Sequence, residues 1–304
     1  MLTRLLKASV LTSFAFFSLN ATQFDTQAQK DKEELVKYFE AKFQDPYKDK
    51  NRFFLYSPEE ELKDGYEKGL KHMDFGIGSY SYAKDAKEQY EAIKEFPPYE
   101  DKIEDGEDLY TKEFANGNSL KTCFPDPTIG GDYPYFDTKR KEVISLTTAI
   151  NECLEANNEK KWNVKKGKMA TFQAFLAYST AEAQKKMNIK IPTKEAQEAY
   201  ERGKEYYYTQ RGYLKLSCAT CHIQGAGQRV RNEKLSPLLG QVTHFPVHRL
   251  KWGSLGTLER RMSGCIKDQG QVPPKNDSKQ MHELLYFMAY MSNGMPIDGP
   301  DVRK

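Results

Sequence analysis

The chain has 304 residues, room for about two domains of ~150 residues each. Hydrophobic residues make up 38% and charged residues 29%, the balance of a soluble globular protein with a modest core. The net charge of +3 is spread as mixed Lys and Glu, which argues against a nucleic-acid partner, because phosphate neutralisation needs clustered Lys and Arg.

Arg4 and Lys7 precede an apolar stretch from Ala8 to about Leu19, and Asn20-Ala21 then offers a small residue for cleavage. Residues 1–21 therefore read as an export signal. The run is too short to span a bilayer, which takes ~20 residues, and no later segment is long and apolar enough. The mature chain is expected to be soluble and outside the cytoplasm, where disulfides persist.

Leu35, Tyr38, Phe39 and Phe43 predict an amphipathic helix within 22–45. Residues 46–140, rich in Tyr, Pro, Gly and acids, predict short helices between irregular loops. Val143, Leu146, Ile150, Cys153 and Leu154 have a helical period over 142–156, and Phe172, Phe175, Leu176 and Tyr178 repeat it over 169–187. Thr193 is placed to cap a helix running to about Gln210. Strand signals are weak throughout, so the fold class is mainly α. The expected division is residues 22–165 and 166–304.

Cys218-Ala219-Thr220-Cys221-His222 is C-x-x-C-H. Two cysteines at that spacing form thioethers to the vinyl groups of one haem c, and the adjacent His points its imidazole at the iron. A redox pair expects a βαβ pattern, and a zinc site expects further Cys or His ligands; neither is present. Gly203 and Tyr207 lie on the preceding helix, and Met281, Leu284, Leu285 and Met288 form a stripe on the last one. This is similar to the class I cytochrome c domain, whose first and last helices cross at a Gly against an aromatic.

The other axial position has several contenders: Met262, Met281, Met288, Met291, Met295, His244, His248 and Cys265. Three of the methionines fall on the last helix and suit the core; the two histidines suit exposed loops. Of five cysteines, two belong to the haem motif, and Cys123 and Cys153 are able to pair. Cys265 is then left over, either as a functional thiol or as an inert buried one. A helix over 257–267 would put Arg261 and Cys265 at i and i+4, on one face. From the residues alone, a surface salt bridge to Glu259 or Asp268 is the favoured role for Arg261.

Four features taken together resemble the SoxA family, the catalytic cytochrome c subunits of the SoxAX complex of bacterial sulfur oxidation. They are Cys123-Phe124-Pro125 with Gly131-Asp132-Tyr133-Pro134-Tyr135-Phe136-Asp137, then Ala149-Ile150-Asn151-Glu152-Cys153, the haem motif, and Arg261-x-x-x-Cys265. The resemblance implies two cytochrome c-like domains in tandem. Phe124 and Asp126 stand where a first haem would need Cys and His, which matches the monohaem branch, in which Cys123 and Cys153 form a disulfide. It further implies His222 and Cys265 as axial iron ligands, Cys265 as the persulfide-bearing catalytic residue and Arg261 as the thiosulfate-binding one. The implied activity is oxidative coupling of thiosulfate to a cysteine of the SoxY subunit of SoxYZ in the periplasm, with SoxX as heterodimer partner. The competing expectation is a monohaem electron-transfer cytochrome without transferase chemistry.

Overall fold

The computed structural model describes residues 23–53, 59–230 and 233–303; the expected export signal, residues 1–21, lies outside them. The helices are α1 (Thr26–Lys42), α2 (Glu59–Asp64), α3 (Lys84–Glu95), α4 (Glu100–Thr111), α5 (Leu120–Cys123), α6 (Leu146–Ala156), α7 (Lys168–Glu182), α8 (Lys194–Tyr208), α9 (Leu258–Asp268) and α10 (Lys279–Met291). The strands are short: β1 (Tyr135–Asp137), β2 (Glu142–Ile144), β3 (Arg229–Val230), β4 (Glu233–Lys234), β5 (Val247–Arg249), β6 (Ser254–Gly256) and β7 (Asp301–Arg303). The mainly α expectation holds. No described helix is long and apolar enough to cross a membrane.

Local chemistry sets the helix starts. Ser145, Thr193, Thr257 and Ser278 each accept a backbone N–H from the first turn of α6, α8, α9 and α10, each cap being worth about 0.5–2 kcal/mol. Val143, expected within a helix, instead sits in β2 opposite Phe136 of β1. Ser145 takes the extended Ncap conformation and delays the helix until Leu146.

Two helix crossings repeat one device. A Cβ on Gly203 of α8 would lie 2.0 Å from the Glu283 carbonyl oxygen of α10 and 3.0 Å from the Phe287 Cβ. One on Gly106 of α4 would lie 2.5 Å from the Thr171 carbonyl oxygen of α7 and 2.7 Å from the Phe175 Cβ. Each glycine admits a helix that a side chain would hold off. One turn later Tyr207 meets Phe287 at 5.3 Å between ring centroids and Tyr110 meets Phe175 at 5.1 Å. The tandem arrangement is thus visible as two first-and-last-helix crossings.

This packing departs from the expected division at residues 165 and 166. Helix α7 closes the first unit: Phe172, Phe175 and Leu176 join Tyr110, Leu120, Phe124 and Cys153 in one apolar core. The start of the chain goes the other way. Leu35 and Phe39 of α1, Phe43 just after it, and Tyr66 and Tyr82 enter the core of the second unit with Ala226, Leu238 and the stripe of α10. Residue order alone conceals this, because α1 and α8 are more than 150 positions apart yet share one cluster.

Cys123, ending α5, is bonded to Cys153 of α6. Closing a loop of this length contributes about 2–4 kcal/mol. β5 lies between β6, antiparallel, and β7, parallel, so the end of the chain is threaded beside the segment leading to α9.

Candidate functional site

Ser217 and Thr220 cap the turn that holds the C-x-x-C-H motif. The Ser217 hydroxyl accepts the Thr220 N–H at 3.1 Å, and the Thr220 hydroxyl accepts the Ser217 N–H at 3.2 Å. The His222 Nδ1–H donates to the Ser236 carbonyl oxygen at 2.8 Å. That bond fixes the tautomer and leaves Nε2 for a metal. Burial pushes the Cys218 thiol up to about 12, with Cys265 adding to the effect. A thiol so disfavoured as thiolate does not suit a nucleophilic redox pair. Among the described residues no group of three or more His, Cys, Asp or Glu side chains gathers to hold a metal ion by itself, so the zinc reading finds no support.

Beside the motif opens a cavity with about 1480 Å³ of open space including its mouth. Tyr207, Cys218, His222, Leu258, Met262 and Cys265 are in its wall. The donor set fits haem: the Cys218 thiol and the His222 ring in the cavity wall, with Cys221 next to His222 in the same motif and the His222 Nε2 not used by the Ser236 bond.

Helix α9 brings Arg261 and Cys265 to the same cavity. The Cys265 sulfur accepts the Gln269 amide at 3.3 Å, and His222 and Arg261 lie close enough to act on it electrostatically. Burial raises this thiol, but His222 and the charge of Arg261 outweigh burial and bring it down to about 7. Cys218, the more buried of the two, goes the opposite way. The environment of Cys265 therefore favours the thiolate more than that of Cys218 does.

Arg261 makes no salt bridge to Glu259 or Asp268, and its guanidinium has no hydrogen-bond or ion-pair partner among the described residues. Glu259 is buried and instead accepts the Thr147 hydroxyl at 2.7 Å. Arg260, on the other side of α9, stacks over Trp252 at 4.0 Å. A Cβ at Gly264 would meet nothing within 4 Å, so the helix surface beside Cys265 is open to an approaching molecule.

The other contenders separate cleanly. Met281, Met288, Met291 and Met295 are buried in the core and stay out of the cavity wall; Met262 lines it. His244, expected on an exposed loop, is buried, donates from Nδ1 to the Gly240 carbonyl oxygen at 3.1 Å and borders the cavity. Burial holds it well below the usual imidazole range. His248, also expected exposed, is half-buried in β5. Arg303 in β7, which no sequence signal marked, borders the cavity as well.

The model of the SoxA/TsdA cytochrome c domain matches residues 105–184 and 202–297. The chain belongs to the SoxA/TsdA cytochrome c family. Like other SoxA/TsdA domains, it is thus a c-type cytochrome that binds haem covalently. It is 47% identical to the L-cysteine S-thiosulfotransferase subunit SoxA of Chlorobaculum thiosulfatiphilum, over 78% of this chain and 82% of that one. To the subunit of the same name from Allochromatium vinosum it is 39% identical, over 76% and 83%. The crystal structure of SoxXA from P. pantotrophus superposes with a TM-score of 0.65 at 27% identity, covering 71% of this chain and 84% of that chain. The two SoxA/TsdA segments end and begin at residues 184 and 202, which agrees with α7 closing the first unit.

Proposed function

We propose that the chain is the cytochrome subunit of an L-cysteine S-thiosulfotransferase, coupling thiosulfate oxidatively to a cysteine of the SoxY subunit of the SoxYZ carrier. The enzyme name is the one borne by its relatives. Cys218 and Cys221 would hold one haem c through thioethers, with His222 and Cys265 as axial ligands. The Cys123–Cys153 bond leaves no thiols for a second haem. When bound, the haem supplies the route by which electrons leave. The partner would be SoxX, in line with the SoxXA assembly of the P. pantotrophus protein. The site of action would be the periplasm after removal of residues 1–21.

The chain's own residues have distinct tasks. Arg261 offers a fork of N–H donors to the sulfonate oxygens of a dianion, a pairing stronger than neutral hydrogen bonds. From one turn away it presents the terminal sulfur to Cys265. Cys265, favoured as thiolate, holds the sulfur and releases it to the carrier thiol by exchange at sulfur. Overall a carrier thiol and thiosulfate give a cysteine S-thiosulfonate, one proton and two electrons, with one new sulfur–sulfur bond.

The observation behind this reading is the meeting of Cys265 with His222 in one cavity, with the Arg261 guanidinium, partnerless among the described residues, in the same wall. Replacing Cys265 by Ser in the complex with SoxX should abolish thiosulfate-dependent turnover of the carrier. Near-normal turnover would sink the proposal. It would favour a plain electron-transfer cytochrome, for which Met262 in the cavity wall supplies a thioether.

A further inference from the structure

We propose that Arg303, in the last strand of the chain, holds a propionate carboxylate of the haem. The inference rests on haem attachment at Cys218 and Cys221. It concerns a residue beyond the matched family segments, which end at 297.

Arg303 is a buried guanidinium with half its bonding left open. Its Nη1 donates to the Asp301 carboxylate and, at 2.7 Å, to the Val302 carbonyl oxygen. Its Nη2 is buried with no hydrogen-bond partner among the described residues. Asp301 has nothing further to offer, since it also faces Lys94 at 3.6 Å and accepts the Val302 N–H at 2.7 Å. A buried donor left unpaired is costly, more so when charged. The side chain is nonetheless held firmly. It lies against the rings of Tyr80 and Tyr90, 5.2 and 5.7 Å from their centroids, and its strand pairs in parallel with β5, Arg303 opposite Arg249.

Arg303 is part of the cavity wall, and its open nitrogen is buried close behind it. It is on the attachment-histidine side. A Cβ at Gly78 would lie 3.6 Å from the Ser236 Cβ and 3.8 Å from the Arg303 Nη2, and Ser236 is the residue whose carbonyl holds His222. Arg261 and Cys265 enter from α9. A small anion at the Cys265 sulfur is therefore served by Arg261, and the charge awaiting Arg303 is one on the porphyrin rim. The anionic groups of that rim are its two propionates, and a carboxylate completes a guanidinium fork by charge-assisted hydrogen bonds.

The test compares the wild-type holoprotein in its SoxX complex with Arg303→Gln and Arg303→Lys, after intact mass has established the haem adduct. In Arg303→Gln the loss of a positive charge beside the haem favours the oxidised form. The reduction potential should fall by a tenfold or larger change in the redox equilibrium constant, about 59 mV for one electron. The propionate bending mode in the resonance Raman spectrum should shift. Arg303→Lys keeps the charge but loses the fork, so it should restore most of the potential while the mode stays displaced. A potential and a propionate mode both equal to wild type in Arg303→Gln would overturn the proposal. So would a raised KM for thiosulfate at unchanged potential, which would assign Arg303 to the substrate anion. If Arg303→Gln does not fold, an unshifted mode in Arg303→Lys overturns it equally. A chain without any haem adduct would overturn the attachment reading itself, a different failure from an adduct whose propionates ignore Arg303.

Discussion

Arg261 stands one turn before Cys265 on a helix whose first turn buries Glu259, and among the described residues its guanidinium has no hydrogen-bond or ion-pair partner. An arginine half enclosed in a cavity wall and unpaired is costly to keep unless an anion visits it. Truncation to Ala should therefore show in substrate use more than in folding. Losing charged hydrogen bonds worth about 1.5–3 kcal/mol corresponds to roughly 10- to 150-fold in kcat/KM for thiosulfate at 1.4 kcal/mol per tenfold. Arg261→Lys should recover only part of it, since an ammonium lacks the planar fork. Steady-state kinetics with the carrier as acceptor would check this, and a kcat/KM within twofold of wild type for the Ala variant would remove Arg261 from the site. At this scale the sequence was most readable: a five-residue motif and an i, i+4 pair need only local geometry to meet. The burial of His244, which the sequence offers only as a contender on an exposed loop, and the place of Arg303 are not readable, because both come from a loop return and a three-residue strand. Neither leaves a periodic trace.

At the level of helices, the two glycine crossings explain what the chain kept and what it gave up. Gly203 and Gly106 each stand four residues before an aromatic, and each faces a carbonyl of the partner helix closer than any Cβ allows. The second crossing was legible from Gly203, Tyr207 and the apolar stripe after them. Gly106 and Tyr110 repeat that spacing, yet α4 is so acidic that the pattern did not stand out. Val143 misled because a strand only three residues long shares its apolar positions with the helix that follows. The geometry predicts that Gly203→Ala is poorly tolerated. The new methyl must force α8 off α10, an overpacking cost of typically 1–3 kcal/mol, and the loss falls on the unit that holds the C-x-x-C-H turn. Chemical denaturation should show a lowered midpoint with an unchanged slope. A midpoint equal to wild type would mean that the helices do not cross as closely as described.

Across the whole molecule, the unit without C-x-x-C-H is the support for α9. The Thr257 hydroxyl at the start of that helix donates to the Val164 carbonyl oxygen at 2.7 Å, and its N–H donates to the Lys165 carbonyl oxygen at 3.2 Å. In the first turn, buried Glu259 accepts the Thr147 hydroxyl from α6. His282 of α10 reaches the same corner: its Nδ1–H donates to the Val143 carbonyl oxygen at 3.1 Å, and its Nε2 accepts the Thr148 hydroxyl at 3.1 Å. The helix bearing Arg261 and Cys265 is thus anchored on residues of the first unit, which the Cys123–Cys153 bond stiffens through α6. The unit without C-x-x-C-H is thus the fixed point of the site. Thr147→Val keeps the side-chain shape and removes the hydroxyl, leaving the carboxyl of Glu259, which burial already raises above the usual range, without this donor. The expected cost is about 1–3 kcal/mol, read as a lower denaturation midpoint, and thiosulfate turnover should fall at temperatures where the variant is fully folded. Thr147→Ser, which retains the hydroxyl, should restore turnover. If Thr147→Val turns over thiosulfate as fast as wild type while folded, α9 does not depend on the first unit for its position.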